Sequence, residues 1–215
     1  MRVAVLGTGV VGRTLGTKLV ELGHEVKMGS RTPDNAPAAE WVASAGDAAG
    51  QGTFADAAAF GELVLNCTGG AVALEALTAA GGDNLEGKTV LDVSNPLDFS
   101  RGRPPTLTVC NTDSVGEQIQ RTFPGARVVK GLNTMNCGVM VEPSLVPGEH
   151  DVLICGDDES AKSEVSELLR SFGWPAERIL DLGDITSARG LEMCVALWLR
   201  LAAAFGTHVN IHVAR

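Results

Sequence analysis

Short apolar runs alternate with stretches of helical spacing along the whole chain, and each alternation predicts a strand followed by a helix. Residues 3–6 form an uninterrupted apolar run, read as a buried strand, and a helix follows to about Leu22, where Gly23 stops it. Residues 24–28 predict a second strand, 38–45 a short helix carrying Trp41 and Val42, and 51–54 a weakly marked third strand. A turn of helix over 56–61 feeds a fourth strand at 63–67, and 72–80 is again helical. A fifth strand spans 88–93, and residues 97–108 read as loop. Ser114 caps a helix over 114–123 in which Glu117 completes a capping box and Val115, Ile119 and Phe123 recur at helical spacing. Strands follow at 127–130, 151–155 and 178–182, with a helix from Asp158 between the last two. The longest helix, 186–205, carries an apolar stripe through Leu191, Cys194, Val195, Trp198, Leu201, Ala202 and Phe205, wide enough to bury against the sheet or a second subunit. Residues 208–215 alternate polar with apolar, which suggests a short edge strand.

This order predicts an α/β fold: a Rossmann-type doubly wound, mostly parallel sheet over residues 1–183. Residues 184–215 are a small helical C-terminal extension expected to complete a substrate site and to contact a second subunit. The first strand runs directly into Gly7-Thr8-Gly9-Val10-Val11-Gly12. In a strand–turn–helix context Gly7 makes the tight turn, Gly9 admits a pyrophosphate close to the backbone, and Gly12 lets helix and strand pack. A tight turn without a ligand is the alternative. An acid closing the second strand would grip a free ribose 2′-hydroxyl, but here the chain reads Gly29-Ser30-Arg31. A small residue, a hydroxyl and a guanidinium suit a 2′-phosphate, which favours NADP over NAD, unless Arg31 is a solvated loop residue. Other strand ends, Cys67-Thr68-Gly69 and Ser94-Asn95-Pro96, belong to the same ligand-facing rim, although a plain glycine turn explains the first equally well. After the sixth strand come Asn133, Thr134 and Met135, whose neutral groups suit a flat heterocycle and serve equally as turn formers.

Composition narrows the partners. A net charge of −9 over 215 residues argues against nucleic acid or an anionic membrane, so an anionic cofactor must be held locally. Five cysteines without a Cys-x-x-Cys pair read as reduced thiols of a cytoplasmic protein, with no metal site expected. No signal peptide is expected, and no apolar run reaches the length of a membrane span. The four histidines are scattered, tyrosine is absent, and the only weak candidates for a proton donor are Lys130, at the end of the sixth strand, and His208. Hydride transfer between two bound carriers needs no such donor, because alignment and dry surroundings supply most of the barrier reduction.

Several segments together resemble a known family. The glycine turn, the Gly29-Ser30-Arg31 strand ending, the run from Lys130 through Gly131-Leu132-Asn133-Thr134-Met135, and the Arg189-Gly190-Leu191-Glu192 and Leu197-Trp198-Leu199 motifs look like NADPH-dependent coenzyme F420 reductases. The chain is also similar to the reductase domain of mammalian ferric reductases. The resemblance implies a homodimer that moves a hydride between C4 of nicotinamide and C5 of the deazaflavin. Thr8, Ser30 and Arg31 would hold NADP, while Asn133, Thr134 and Met135 would border coenzyme F420, largely through backbone groups. The chain departs at its end, where His212 stands in place of a commoner lysine. Two other functions compete: an NADP-dependent reductase of a small carbonyl or imine, using Lys130 or His208, and a non-catalytic NADP sensor. Length counts against the first, since only about thirty residues follow the last strand.

Overall fold

The computed structural model describes all residues, 1–215. Its strands and helices alternate as β1 (Arg2–Leu6), α1 (Val10–Glu21), β2 (Glu25–Ser30), α2 (Ala36–Ala45), β3 (Ala49–Thr53), α3 (Phe54–Phe60), β4 (Leu63–Asn66), α4 (Ala73–Ala80), α5 (Gly82–Leu85) and β5 (Thr89–Asp92). There follow β6 (Leu97–Asp98), β7 (Thr106–Leu107), α6 (Val115–Thr122), β8 (Arg127–Gly131), α7 (Cys137–Val141), β9 (Val152–Gly156), α8 (Glu159–Ser171), β10 (Ile179–Asp181) and α9 (Ala188–Phe205). Eight strands form one sheet in the order β10-β9-β8-β5-β4-β1-β2-β3. Every neighbouring pair is parallel except β8 with β9, so β9 and β10 run opposite to the rest. No helix is long and apolar enough to cross a membrane.

The central strands are apolar on both faces because both faces are covered. Val3 and Val5 of β1 join Leu15, Leu19, Trp41, Val165 and Leu169 on one side, while Ala4 and Leu6 join Leu77, Val90, Ile119 and Leu191 on the other. The doubly wound expectation is met, and Leu191 shows that the first turns of α9 belong to this core.

Several local expectations are corrected. β2 continues two residues past Met28, so Gly29 and Ser30 lie within the strand. Phe54 opens α3 instead of ending a strand: Thr53 Oγ1 accepts the Asp56 N–H at 3.1 Å, and the Thr53 N–H donates to Asp56 Oδ2 at 2.9 Å. This is a capping box, and it turns the chain one residue earlier than the apolar pattern implied. At α6 the box is only half made. Ser114 Oγ accepts the Glu117 N–H, but the Glu117 carboxylate turns to the Ser114 hydroxyl and to Arg189. The expected loop 97–108 contains the antiparallel pair β6 and β7. Residues 206–215 form no edge strand. Against the sheet, the apolar stripe of the last helix is buried only at its start: Leu191 is 1% exposed, whereas Phe205 is 75% exposed.

Beneath the carboxyl ends of the strands lies a buried ion cluster. Lys130 of β8 is fully buried, and its ammonium donates to Asp92 Oδ2 at 2.7 Å, Glu192 Oε1 at 2.8 Å and the Ser94 carbonyl at 2.6 Å. All three donors are used. Burial alone would lower the pKa of this amine, but Asp92 and Glu192 outweigh it and hold the pKa above its usual value. Lys130→Met leaves two carboxylates facing each other without a cation, and a loss of about 3–5 kcal/mol of stability is expected from urea unfolding.

Candidate functional site

The β1–α1 turn has the geometry of a phosphate cradle. Gly7 has φ +117°, and a Cβ there would lie 2.8 Å from the Cys67 carbonyl oxygen, so no other residue fits. A Cβ on Gly12 would stand 2.1 Å from the Gly7 carbonyl. Gly9 is different: a Cβ there would meet nothing within 4 Å. The space in front of Gly9 is therefore open to a ligand, whereas Gly7 and Gly12 are fixed by the protein itself. Gly9 caps α1 without any side-chain bond, and no acid lies in the first turn, so the leading N–H groups and the positive end of the helix dipole are free for an anion.

Beside this turn lies a cleft of about 280 Å³ whose lining includes Gly7, Thr8, Ser30, Arg31 and Thr68. Five predicted residues thus meet in one cavity. Ser30, the last residue of β2, is 6% exposed and its hydroxyl donates to the Thr32 carbonyl at 2.5 Å. Arg31 is exposed and forms no ion pair, so its guanidinium is free for a phosphate. The opposite wall was missed. Val72, Glu75, Ala76 and Ala79 line it, and their i, i+3, i+4, i+7 spacing was a readable signal for one helix face. Asn35 and Phe54 also line the cleft. Asn35 had a signal as well, since its Oδ1 caps α2 by accepting the Ala38 N–H at 3.1 Å.

The remaining rim residues lie along the strand ends beyond the cleft. Val10 is 62% exposed at the head of α1, whereas Val11 packs against the core. A Cβ on Gly69 would meet nothing within 4 Å, so this turn is open as at Gly9. The Thr68 hydroxyl donates to Asn66 Oδ1 at 2.7 Å, and Asn66 Nδ2 donates to Asp92 Oδ1 at 2.8 Å, which ties the rim to the ion cluster. Asn95 Nδ2 donates to the Asn133 carbonyl at 2.7 Å, and Asn133 Nδ2 donates back to Asn95 Oδ1 at 2.9 Å. Asn133 Nδ2 also reaches the Leu191 carbonyl of α9 at 3.0 Å. Asn133, Thr134 and Met135 are all buried, with their side chains turned inward. Pro96 and Ser94 are buried beside them, and the Ser94 hydroxyl oxygen has no partner. Leu132 adopts φ +61°, a left-handed conformation that costs a leucine about 1–2 kcal/mol. Such strain clusters where a backbone must present its polar groups in one direction.

The candidate acids and bases fare differently. Lys130 is sealed in its cluster with no exposed atom, and His208 lies exposed in the segment after α9. Burial, with Asp92 nearby, pushes the Cys67 thiol far above its usual range, so it stays protonated and is no nucleophile. No group of three His, Cys, Asp or Glu side chains stands ready for a metal.

The chain resembles known proteins over nearly its whole length. A family model described as NADP oxidoreductase coenzyme F420-dependent matches residues 2–96. A crystal structure from Arthrobacter sp. FB24, described as a candidate F420-dependent NADP reductase, is 50% identical with a TM-score of 0.93, and the alignment covers 99% of each chain. The chain belongs to the coenzyme F420-dependent NADP oxidoreductase family. The F420-dependent NADP reductase of Methanothermobacter marburgensis is 29% identical over 94% of this chain and 92% of its own. The rat metalloreductase STEAP3 is 32% identical over 93% of this chain, which spans only 37% of that longer protein. The two glycines that differ in surroundings separate binding from folding within this family member. Gly9→Ala is expected to keep the unfolding midpoint and weaken NADPH at least about tenfold by fluorescence titration, whereas Gly12→Ala lowers stability by roughly 2 kcal/mol or more.

Proposed function

We propose that this chain transfers a hydride between NADP(H) and coenzyme F420. The observation that carries the nucleotide half is the open, uncapped start of α1 beside a strand end that offers Ser30 and an unpaired Arg31 where a ribose-binding acid would otherwise sit. In a molecule of net charge −9, that local arrangement of N–H groups and one guanidinium is what attracts a dinucleotide bearing an extra phosphate. NADPH supplies a hydride from its nicotinamide ring, and the deazaflavin takes it up together with a proton from solvent. Thr8 and Arg31 bind the ribose phosphate end, and the backbone of Gly9, Val10, Val11 and Gly12 receives the pyrophosphate. The Cys67, Thr68 and Gly69 turn, with Ser94, Asn95 and Pro96, borders the nicotinamide. The segment Asn133, Thr134 and Met135 presents backbone groups to the acceptor.

The neutral rim supports a carrier as the acceptor. A carbonyl or imine substrate calls for a proton donor, and Lys130 is held by two carboxylates away from the rim surface. Residues 184–215 complete the acceptor side, and the exposed apolar residues of α9, with Leu197 57% exposed, form the contact of a homodimer. Mixing the purified protein with NADPH and F420 and following loss of F420 absorbance tests the proposal. Rapid loss with NADPH and little with NADH is expected. Tight NADPH binding without F420 reduction would refute the F420 assignment and leave a small-molecule reductase or a sensor. Arg31→Ala is expected to weaken NADPH by roughly 2 kcal/mol, about thirtyfold, and to leave NADH almost unchanged. Equal loss for both nucleotides would overturn the 2′-phosphate assignment.

A further inference from the structure

α9 is held firmly at one end only. Its inner turns are fixed by Glu192, whose carboxylate takes Lys130 and also accepts the Val115 and Gly116 N–H groups at 2.9 and 3.0 Å. The Leu191 carbonyl bonds Asn133, and Arg189 pairs with Glu117. Beyond Val195 this anchorage stops, and the outer half carries Leu197 and Phe205 mostly exposed to solvent.

The segment after α9 supplies the missing support. Gly206, at φ +90°, ends the helix, and residues 207–213 return across the body without forming helix or strand. Their bonds converge on one place. The Asp151 N–H donates to the Ile211 carbonyl at 2.8 Å, and Asn210 Nδ2 donates to the Asp151 carbonyl at 3.0 Å. Asp151 Oδ2 accepts the Val213 N–H at 2.7 Å and lies 3.0 Å from His212 Nδ1. Asn210 Nδ2 also lies 2.9 Å from His150 Nδ1. Asp151 is 2% exposed, and its other carboxylate oxygen, Oδ1, faces Arg178 at 3.5 Å. The same segment grips the helix, since Trp198 Nε1 donates to the Val209 carbonyl at 3.1 Å.

We propose that Asp151 is a positioning residue: through residues 207–213 and Trp198 it braces the outer half of α9 and thereby fixes the wall against which the hydride acceptor lies. A buried, charge-assisted acceptor of this kind is stronger than a neutral one, which suits a segment that forms no helix or strand of its own. The part of this inference that concerns the acceptor rests on the function proposed above. The brace itself does not.

Two variants of the full protein test it, Asp151→Asn and a chain ended at Gly206. Three readouts separate the possibilities: NADPH affinity, kcat and KM for F420 at saturating NADPH, and the rate of trypsin cleavage after the exposed Arg200. The expected result is NADPH affinity within about twofold of the parent, KM for F420 raised about tenfold with kcat changed less, and cleavage after Arg200 at least about tenfold faster. A KM unchanged within about twofold, or NADPH affinity lost in the same proportion as F420 affinity, overturns the positioning role. If the parent protein does not reduce F420, the functional proposal fails by itself. The trypsin rate then decides the brace, and unchanged cleavage after Arg200 in both variants overturns it.

Discussion

A single buried ammonium joins three parts of this molecule that are far apart in sequence. Lys130 draws together Asp92 at the end of β5, the Ser94 carbonyl of the following loop, and Glu192 of α9. Burying one cation with two anions costs much desolvation, so such a cluster is weak evidence for net stability. Its value here is geometric. Asp92 also holds Asn66 and the Ser94 N–H, and Asn66 holds Thr68, so the loops that end two central strands are set relative to the last helix by charge-assisted bonds in the buried interior. Glu192 extends the cluster to the start of α6, where two backbone N–H groups of that helix find their acceptor.

The nucleotide side works on a different principle. The sheet places the start of α1 and the ends of β2 and β4 at one edge, where an acidic protein leaves backbone N–H groups and one guanidinium open to an anion. Net repulsion from distant carboxylates is screened within about 8 Å at physiological salt, so the local arrangement decides. This separation explains why one half of the site is built from glycine conformation and the other from buried side-chain bonds.

The two halves were unequally legible in the sequence. The glycine spacing, the missing acid after β2 and the apolar runs of the strands each express a local rule, and the cradle with Thr8, Ser30, Arg31 and Thr68 followed from them. The wall formed by Val72, Glu75, Ala76 and Ala79 had a helical spacing but no distinctive residue type, so it passed as ordinary amphipathicity. Lys130 misled for a physical reason: a lysine at a strand end resembles a proton donor until its partners are known, and Glu192 lies 62 positions away. The stripe of α9 was likewise real as a pattern, but pattern alone does not say how far along a helix the body of the protein extends. Asp151 gave no signal, because its partners come from a segment whose own alternation suggested a strand.

The reversed direction of β9 and β10 sets where the last helix begins. Parallel strands deliver the chain to the ligand edge, but these two carry it the opposite way, so α9 starts low on the sheet and must climb to reach Asn133. Its 18 residues span about 27 Å, and Asn133 is already met at Leu191, the fourth of them. The side chains it shows beyond that point are set by helical phase, counted from the turn that Glu192 pins. Each residue inserted or removed after that turn would rotate the outer face by about 100°, exchanging every side chain on the wall at once while leaving the sheet untouched. On the function proposed above, acceptor chemistry can therefore diverge through the length of one helix faster than through substitution of its residues.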